Sequence, residues 1–281
     1  MRVGTSTEEQ EFACWLRKLA KGHFNDLDDT VLLPPFLLCQ PNSLSSLITQ
    51  TYPNLSMFQN DHYFQERCIL APRHRDVHDI NNAVLTSYPG QLHELWSIDE
   101  AIDPDTEGVV DHTYPPEVLH SACPNGFPLA KLSLKVGCPI IILCNLHAQQ
   151  GICNGSRGIV TKIGIRILEV QLFSGQTVVL PQIKLICTDP EFPFHLHRQQ
   201  FPVALAFAIT INKAQGQSFT SVGIDLQLPC FSHGQLYVAL SRGRSRNNVK
   251  CLLGNRASFS HTKNVVFREA IVPSCSVSPI W

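Results

Sequence analysis

Apolar positions recur along the chain in three regimes, and the first is helical. Phe12, Trp15, Leu16 and Leu19 fall at i, i+3, i+4 and i+7, behind the capping-box pattern Ser6-Thr-Glu-Glu9 and ahead of Gly22. That spacing predicts an amphipathic helix. Residues 25–42 carry Pro34, Pro35 and Pro41 and read as loop with short extended pieces, whereas Leu44, Leu47 and Ile48 suggest a second helix. Cys68-Ile-Leu-Ala-Pro72 predicts a buried strand stopped by proline, and Val77, Ile80, Val84, Leu85 and Tyr88 predict a helix ended by Pro89-Gly90. Strand, turn and helix in succession are the signature of an α/β layer. Residues 91–125 show no clear period and hold Asp99, Glu100, Asp103, Asp105, Glu107 and Asp111, so they read as a surface excursion.

From Lys131 the period changes. Leu132, Leu134 and Val136 alternate, Ile140–Cys144 has strand length, and Asn154-Gly155 and Ser174-Gly175 are turn dipeptides. Ile165–Leu172 and Gln176–Leu180 read as the arms of a hairpin. Short strands with turns and no helix predict a small β-barrel inserted in the chain. After Pro202 the α/β pattern returns: Val203–Ile209 reads as a strand covered on both faces, followed by Val222–Leu226, a helix capped by Ser232-His-Gly-Gln235, and Val249–Leu253. The tail from Pro273 looks frayed.

Composition narrows the class. At 281 residues the chain is long enough for about two domains. Lys+Arg 22 against Asp+Glu 23 gives a formal charge of −1, which excludes a histone-like polycation but leaves room for a local basic groove. The 11 cysteines are odd in number and contain no CxxC pair, so they read as reduced, mostly buried thiols in nucleus or cytoplasm. A zinc site needs paired ligand spacings that are missing, and no metal is expected on that ground. No run of about 18 apolar residues predicts a membrane span.

The densest candidate chemistry lies in Leu205–Phe219, where a hydrophobic strand delivers Thr210, Asn212, Lys213, Gln215, Gly216, Gln217 and Ser218. Amide and hydroxyl donors at a strand's C-terminal end suit phosphates or sugars at the ligand edge of an open α/β sheet; an ordinary polar loop fits the same residues. Arg242, Arg244 and Arg246 follow at the end of a predicted helix. Spacing alone favours cations that complement the helix dipole; the other reading is an arginine that contacts a phosphoryl group. His74-Arg-Asp-Val-His-Asp-Ile-Asn81 imitates a kinase catalytic loop, but the Gly-rich loop and D-F-G of a kinase are missing.

Taken together, Ala208-Ile-Thr-Ile-Asn-Lys-Ala-Gln-Gly-Gln-Ser218 and Tyr237-Val-Ala-Leu-Ser-Arg242 resemble the last two motifs of superfamily 1 DNA helicases. The nearest likeness is to the PIF family and its Helitron-transposon branch. Leu134-Lys-Val-Gly137, Asn145-Leu146 and Gly151–Arg157 resemble that family's small barrel insertion, and Met1-Arg2-Val3 resembles the end of its Asn-Met-Arg motif. The resemblance implies an α/β fold: a second RecA-like helicase domain, a parallel sheet with helices, carrying a small Src-homology-3-like β-barrel. Residues 1–125 and 201–281 would form the RecA-like domain and 126–200 the barrel. It further implies 5′→3′ translocation on single-stranded or forked DNA and a nuclear, alternatively mitochondrial, location. Arg2 and Arg242 would sense the ATP γ-phosphate. Gln215, Gly216 and Gln217 would couple to the nucleotide; Thr210, Asn212, Lys213, Asn154 and Arg157 would contact DNA. Arg73-His74 departs from the Thr-Asn usual after that proline, which weakens the case for a DNA contact there. Asn212 stands where many members have histidine.

None of the 16 glycines precedes a lysine, so the G-K-[ST] of a P-loop is missing, as are the paired acids that hold Mg²⁺. In the family both lie in the first RecA-like domain. ATP and Mg²⁺ would therefore be held mostly by an upstream domain acting in cis or in trans, and the 281 residues alone would be inactive. The competing expectation is a non-catalytic nucleic-acid-binding remnant of a transposon helicase.

Overall fold

A computed structural model describes residues 7–55, 57, 61–104, 114–124, 126–254, 260–267 and 269. They form two compact units, and neither is continuous in sequence. One comprises Met1–Pro53, Glu66–Val77 and Ile209–Trp281; the other comprises Asn54–Gln65 and His78–Ala208. The units divide after residues 53, 65, 77 and 208.

The first unit is built on a four-stranded sheet in the order Ala208–Thr210, Arg67–Ala71, Ser221–Leu226, Val249–Leu253. Ser221–Leu226 pairs in parallel with both of its neighbours, Ile224 lying between Leu70 and Cys251. Cys68, Ile69, Leu70 and Ala71 are wholly buried, as expected of parallel strands covered on both faces. The helix Thr7–Ala20 buries Phe12, Ala13, Leu16 and Leu19, the stripe its period predicts. Ser43 caps Leu44–Thr51 by accepting a hydrogen bond from Ser46 N at 3.2 Å. Gly223 lets that helix lie close to the sheet, because a Cβ there would collide with Thr51. The helix Gln235–Leu240 departs from expectation at its start. Its N-cap is Gly234, with φ +68°, and no side chain caps it. Gln235 instead turns back, its Oε1 accepting from Phe231 N at 3.1 Å.

The second unit holds a five-stranded antiparallel sheet, ordered Val203–Leu205, Pro139–Ile142, Arg157–Ile163, Ile167–Leu172, Thr177–Pro181. The predicted hairpin is its last two strands. The predicted surface excursion is instead structured: His93–Trp96 pairs with Lys131–Leu134, and Ile98–Ile102 pairs with His195–Gln200. Ala101, Leu119, Ala122, Phe194 and Leu196 form a core there. The acids that suggested a surface hide one buried pair, Asp99 with Arg198. The apolar run Val203–Ile209 also breaks in two. Val203–Leu205 joins the five-stranded sheet and Ala208–Thr210 the four-stranded one, with Ala206 and Phe207 between. The helix His74–Ser87 spans the boundary between the units, which falls after Val77.

Candidate functional site

The polar turn after Ala208–Thr210 starts at a fixed point. Ile211 N donates to Ala71 O at 3.0 Å, which seats the turn beside the end of Arg67–Ala71, where Pro72, Arg73 and His74 follow. Asn212–Ala214 is a single 3₁₀ turn, and Lys213 N reaches Thr210 Oγ1 at 3.4 Å. Gly216 has φ +82°, a left-handed conformation that disfavours a side chain. Its surroundings are open, so conformation and not space calls for glycine. Gln217 closes the turn, its Nε2 donating to Lys213 O at 3.2 Å.

Thr210 is buried, Lys213 and Gln217 are half-buried, and Asn212, Gln215 and Gly216 face solvent. Burial pushes the Lys213 ammonium below its ordinary pKa. Partial burial and the Lys213 charge do the same to His74. His74 therefore lies within reach of the Lys213 charge, which the sequence did not predict. Asp225 lies buried near the end of Ser221–Leu226, where burial, with Asp76 adding repulsion, raises its carboxyl pKa.

Arg242 binds the two polar segments together. Phe219 N donates to Arg242 O at 2.9 Å, and Arg244 N donates to Phe219 O at 3.0 Å. The guanidinium continues the tie: Nη1 donates to Gln217 O at 2.8 Å, Nε to Val238 O at 2.9 Å and Nη2 to Ser241 Oγ at 2.9 Å. A guanidinium has five N–H groups. Three are spent inside the protein, so two can meet an anionic oxygen. That donor set fits a phosphoryl group.

Residues 117–163 match the family model described as "DNA helicase Pif1, 2B domain". The ATP-dependent DNA helicase PIF1 of Xenopus laevis is 33% identical over 199 residues, covering 68% of this chain and 29% of that protein. The chain belongs to the Pif1 family of superfamily 1 helicases. The rat PIF1 helicase is 32% identical over 189 residues, 63% of this chain and 26% of its own length. The chain thus spans a little over a quarter of these curated Pif1 relatives. In structure it resembles a Bacteroides Pif1 helicase solved with ADP-AlF3 and ssDNA, at TM-score 0.54 and 20% identity, covering 97% of this chain and 52% of that one. This likeness confirms a Pif1-type α/β helicase fold.

The turn residues Thr210, Asn212, Lys213, Gln215, Gly216 and Gln217 and the arginine Arg242 come together in the first unit. Asn154 and Arg157 belong to the second. Asn154 is exposed in a loop tied by its backbone N–H to Asn145 Oδ1 at 2.9 Å. Arg157 is only 7% exposed; its Nη2 donates to Phe64 O and Ala206 O, and its guanidinium lies 5.3 Å from the Phe173 ring. It braces the chain where the two strands of 203–210 part. Arg2 lies outside the described residues. Sequence reasoning missed Asn81, which holds that same stretch: its Nδ2 donates to Leu205 O and Ala208 O, and its Oδ1 accepts from Ala208 N at 2.8 Å. The clue was its place on the apolar stripe of Val77, Ile80, Val84 and Leu85, a polar residue at a core position.

Proposed function

We propose that the chain is the C-terminal portion of an ATP-dependent DNA helicase that moves 5′→3′ on single-stranded DNA and opens duplex. In this reading the four-stranded sheet is the core of the second RecA-like domain, and the five-stranded antiparallel sheet belongs to the Src-homology-3-like barrel inserted in it. The observation that carries the proposal is the tie from Arg242 to Gln217. It joins an arginine with two spare N–H groups to a turn of exposed amides and Lys213 at the ligand edge of the sheet.

The roles follow from that tie. Asn212 and Lys213 hold DNA phosphates, with Thr210 shaping the turn through Lys213 N, and Gln215 to Gln217 couple the turn to the nucleotide. Arg242 directs its remaining N–H groups to a phosphoryl oxygen, the role of an arginine finger. Any shift of Arg242 on nucleotide binding pulls Gln217 O, and with it the DNA-holding turn. ATP with Mg²⁺, held mainly by an upstream RecA-like domain, supplies the phosphoryl group. Asn212, where many relatives carry histidine, agrees with the Helitron branch. A second reading, a nucleic-acid-binding module without catalysis, uses the same edge of exposed amides and Lys213.

The test combines DNA binding and turnover. Anisotropy of a labelled single strand should show binding by the 281-residue chain that weakens steeply between 50 and 200 mM salt. DNA-stimulated ATP hydrolysis should be absent for the chain alone and appear when a P-loop RecA-like domain is supplied in cis or in trans. Turnover by the chain alone would contradict the half-site reading. Binding without turnover in every pairing would leave the non-catalytic module, and a flat salt response would remove the phosphate contacts.

A further inference from the structure

The second unit also holds a three-stranded sheet, ordered Ile183–Cys187, His195–Gln200, Ile98–Ile102, whose outer face is not built like an ordinary solvated face. Asp99 and Ala101 point inward from Ile98–Ile102, so Ile98 and Glu100 point outward. Their partners Gln199 and His197 share that face, as do Lys184 and Ile186 on the next strand. The wet face of an antiparallel sheet is normally polar, yet Ile98 and Ile186 are each 58% exposed. The alternation runs back through buried Ser97 to Trp96, 52% exposed on the adjoining two-stranded sheet.

The Trp96 ring is held in place. His120 packs against it at 5.4 Å, tilted by 43°, and Lys131 Nζ stands 5.5 Å from its centroid. Glu94 holds Lys131 at 2.6 Å, and Glu100 holds Lys184 at 2.8 Å. A hollow of about 20 Å³ is lined by Ile98, Glu100, Lys184, His197 and Gln199. The buried His197 Nδ1 has no hydrogen-bond partner among the described residues. Burial, reinforced by Lys184, lowers this imidazole's pKa.

The chemistry favours one occupant. A protein docking here would bury two ion pairs, whose desolvation opposes binding. A single nucleic-acid strand would take the lysines and leave both glutamates in water. Exposed ion pairs are worth only about 0–1 kcal/mol, so each lysine can exchange its glutamate for a phosphate at little cost. Aromatic rings on an antiparallel sheet, flanked by cations, are a recurrent way of stacking unpaired bases.

We infer that this face is a second binding surface for single-stranded DNA, with Trp96 stacking on a base and Lys131 and Lys184 meeting the flanking phosphates. The inference rests on the DNA-binding reading above and adds to it a surface within the second unit. Trp15→Phe with Trp281→Phe leaves Trp96 as the sole tryptophan. Adding oligo-dT should quench its fluorescence in step with anisotropy of the same mixture. Trp96→Ala should weaken binding about 5- to 100-fold, and Trp96→Phe should retain most of it. Lys131→Gln should lower the salt slope by about one. Binding seen by anisotropy with an unchanged Trp96 signal, and with Trp96→Ala and Lys131→Gln both neutral, would overturn this surface and leave the DNA-binding reading intact. No binding by any probe would overturn that reading itself. Self-association without DNA that Trp96→Ala abolishes would make the face a contact between copies and overturn the inference.

Discussion

Arg198 is wholly buried and spends all five guanidinium N–H groups. Nε and Nη2 grip the Asp99 carboxylate at 2.7–3.1 Å, Nη1 donates to the Ala122 and Pro128 carbonyls, and Nη2 also reaches Leu119 O. Removing one partner strands the other's charge out of water, which costs about 3–5 kcal/mol. Arg198→Met should lose that much in urea denaturation, and adding Asp99→Leu should restore part of it. An undiminished loss in the double variant would mean that the carbonyl bonds, not the stranded carboxylate, dominate. The two residues stand 99 positions apart, which is why Asp99 reads as one more surface acid in the sequence. Arg157 teaches the same lesson. Its turn context suggests an exposed cation, whereas its guanidinium is taken up by carbonyls of Phe64 and Ala206, far away in the chain.

Elements were legible where one period ran unbroken. Thr7–Ala20, Leu44–Thr51 and His74–Ser87 lie where apolar spacing places them. What finishes an element was less visible. The helix His74–Ser87 ends on Lys135, whose buried ammonium donates to Leu85 O at 2.9 Å and to Tyr88 O. A cation there answers both the orphan carbonyls and the negative end of the helix dipole. Lys135→Met keeps the apolar stem and removes the donor, and should destabilise the fold by about 1–3 kcal/mol. Thermal unfolding followed by circular dichroism measures it; an unchanged midpoint would show that water replaces the ammonium. In sequence Lys135 is only a polar residue after an alternating strand. Likewise Val203–Ile209 reads as one strand, because hydrophobicity cannot record that its halves pair in different sheets.

Across the whole molecule, buried acids of very weak strength predict how the fold meets alkali. Burial pushes the Cys138 and Cys230 thiols up from 9 to about 12, and the Tyr88 hydroxyl from 10 to about 12. Each stays protonated in the fold and ionises on unfolding at a lower pH. Their contribution is therefore complete below pH 9 and drains away as pH rises toward 12. Urea midpoints under reducing conditions should hold level from pH 7 to about 9 and then fall steadily; a level midpoint through pH 11 would refute it. At this scale the sequence by itself determined the α/β class, the antiparallel insertion and the two polar segments, because periodicity and short motifs are local properties. Only the tertiary structure decided that Arg242 ties itself to Gln217, that His74 comes within reach of the Lys213 charge, that Arg157 turns inward and that Trp96 stands out on a sheet. Each of these depends on which distant backbone carbonyl, charge or strand lies opposite. Pairing across the fold sets that, and no spacing along the chain encodes it.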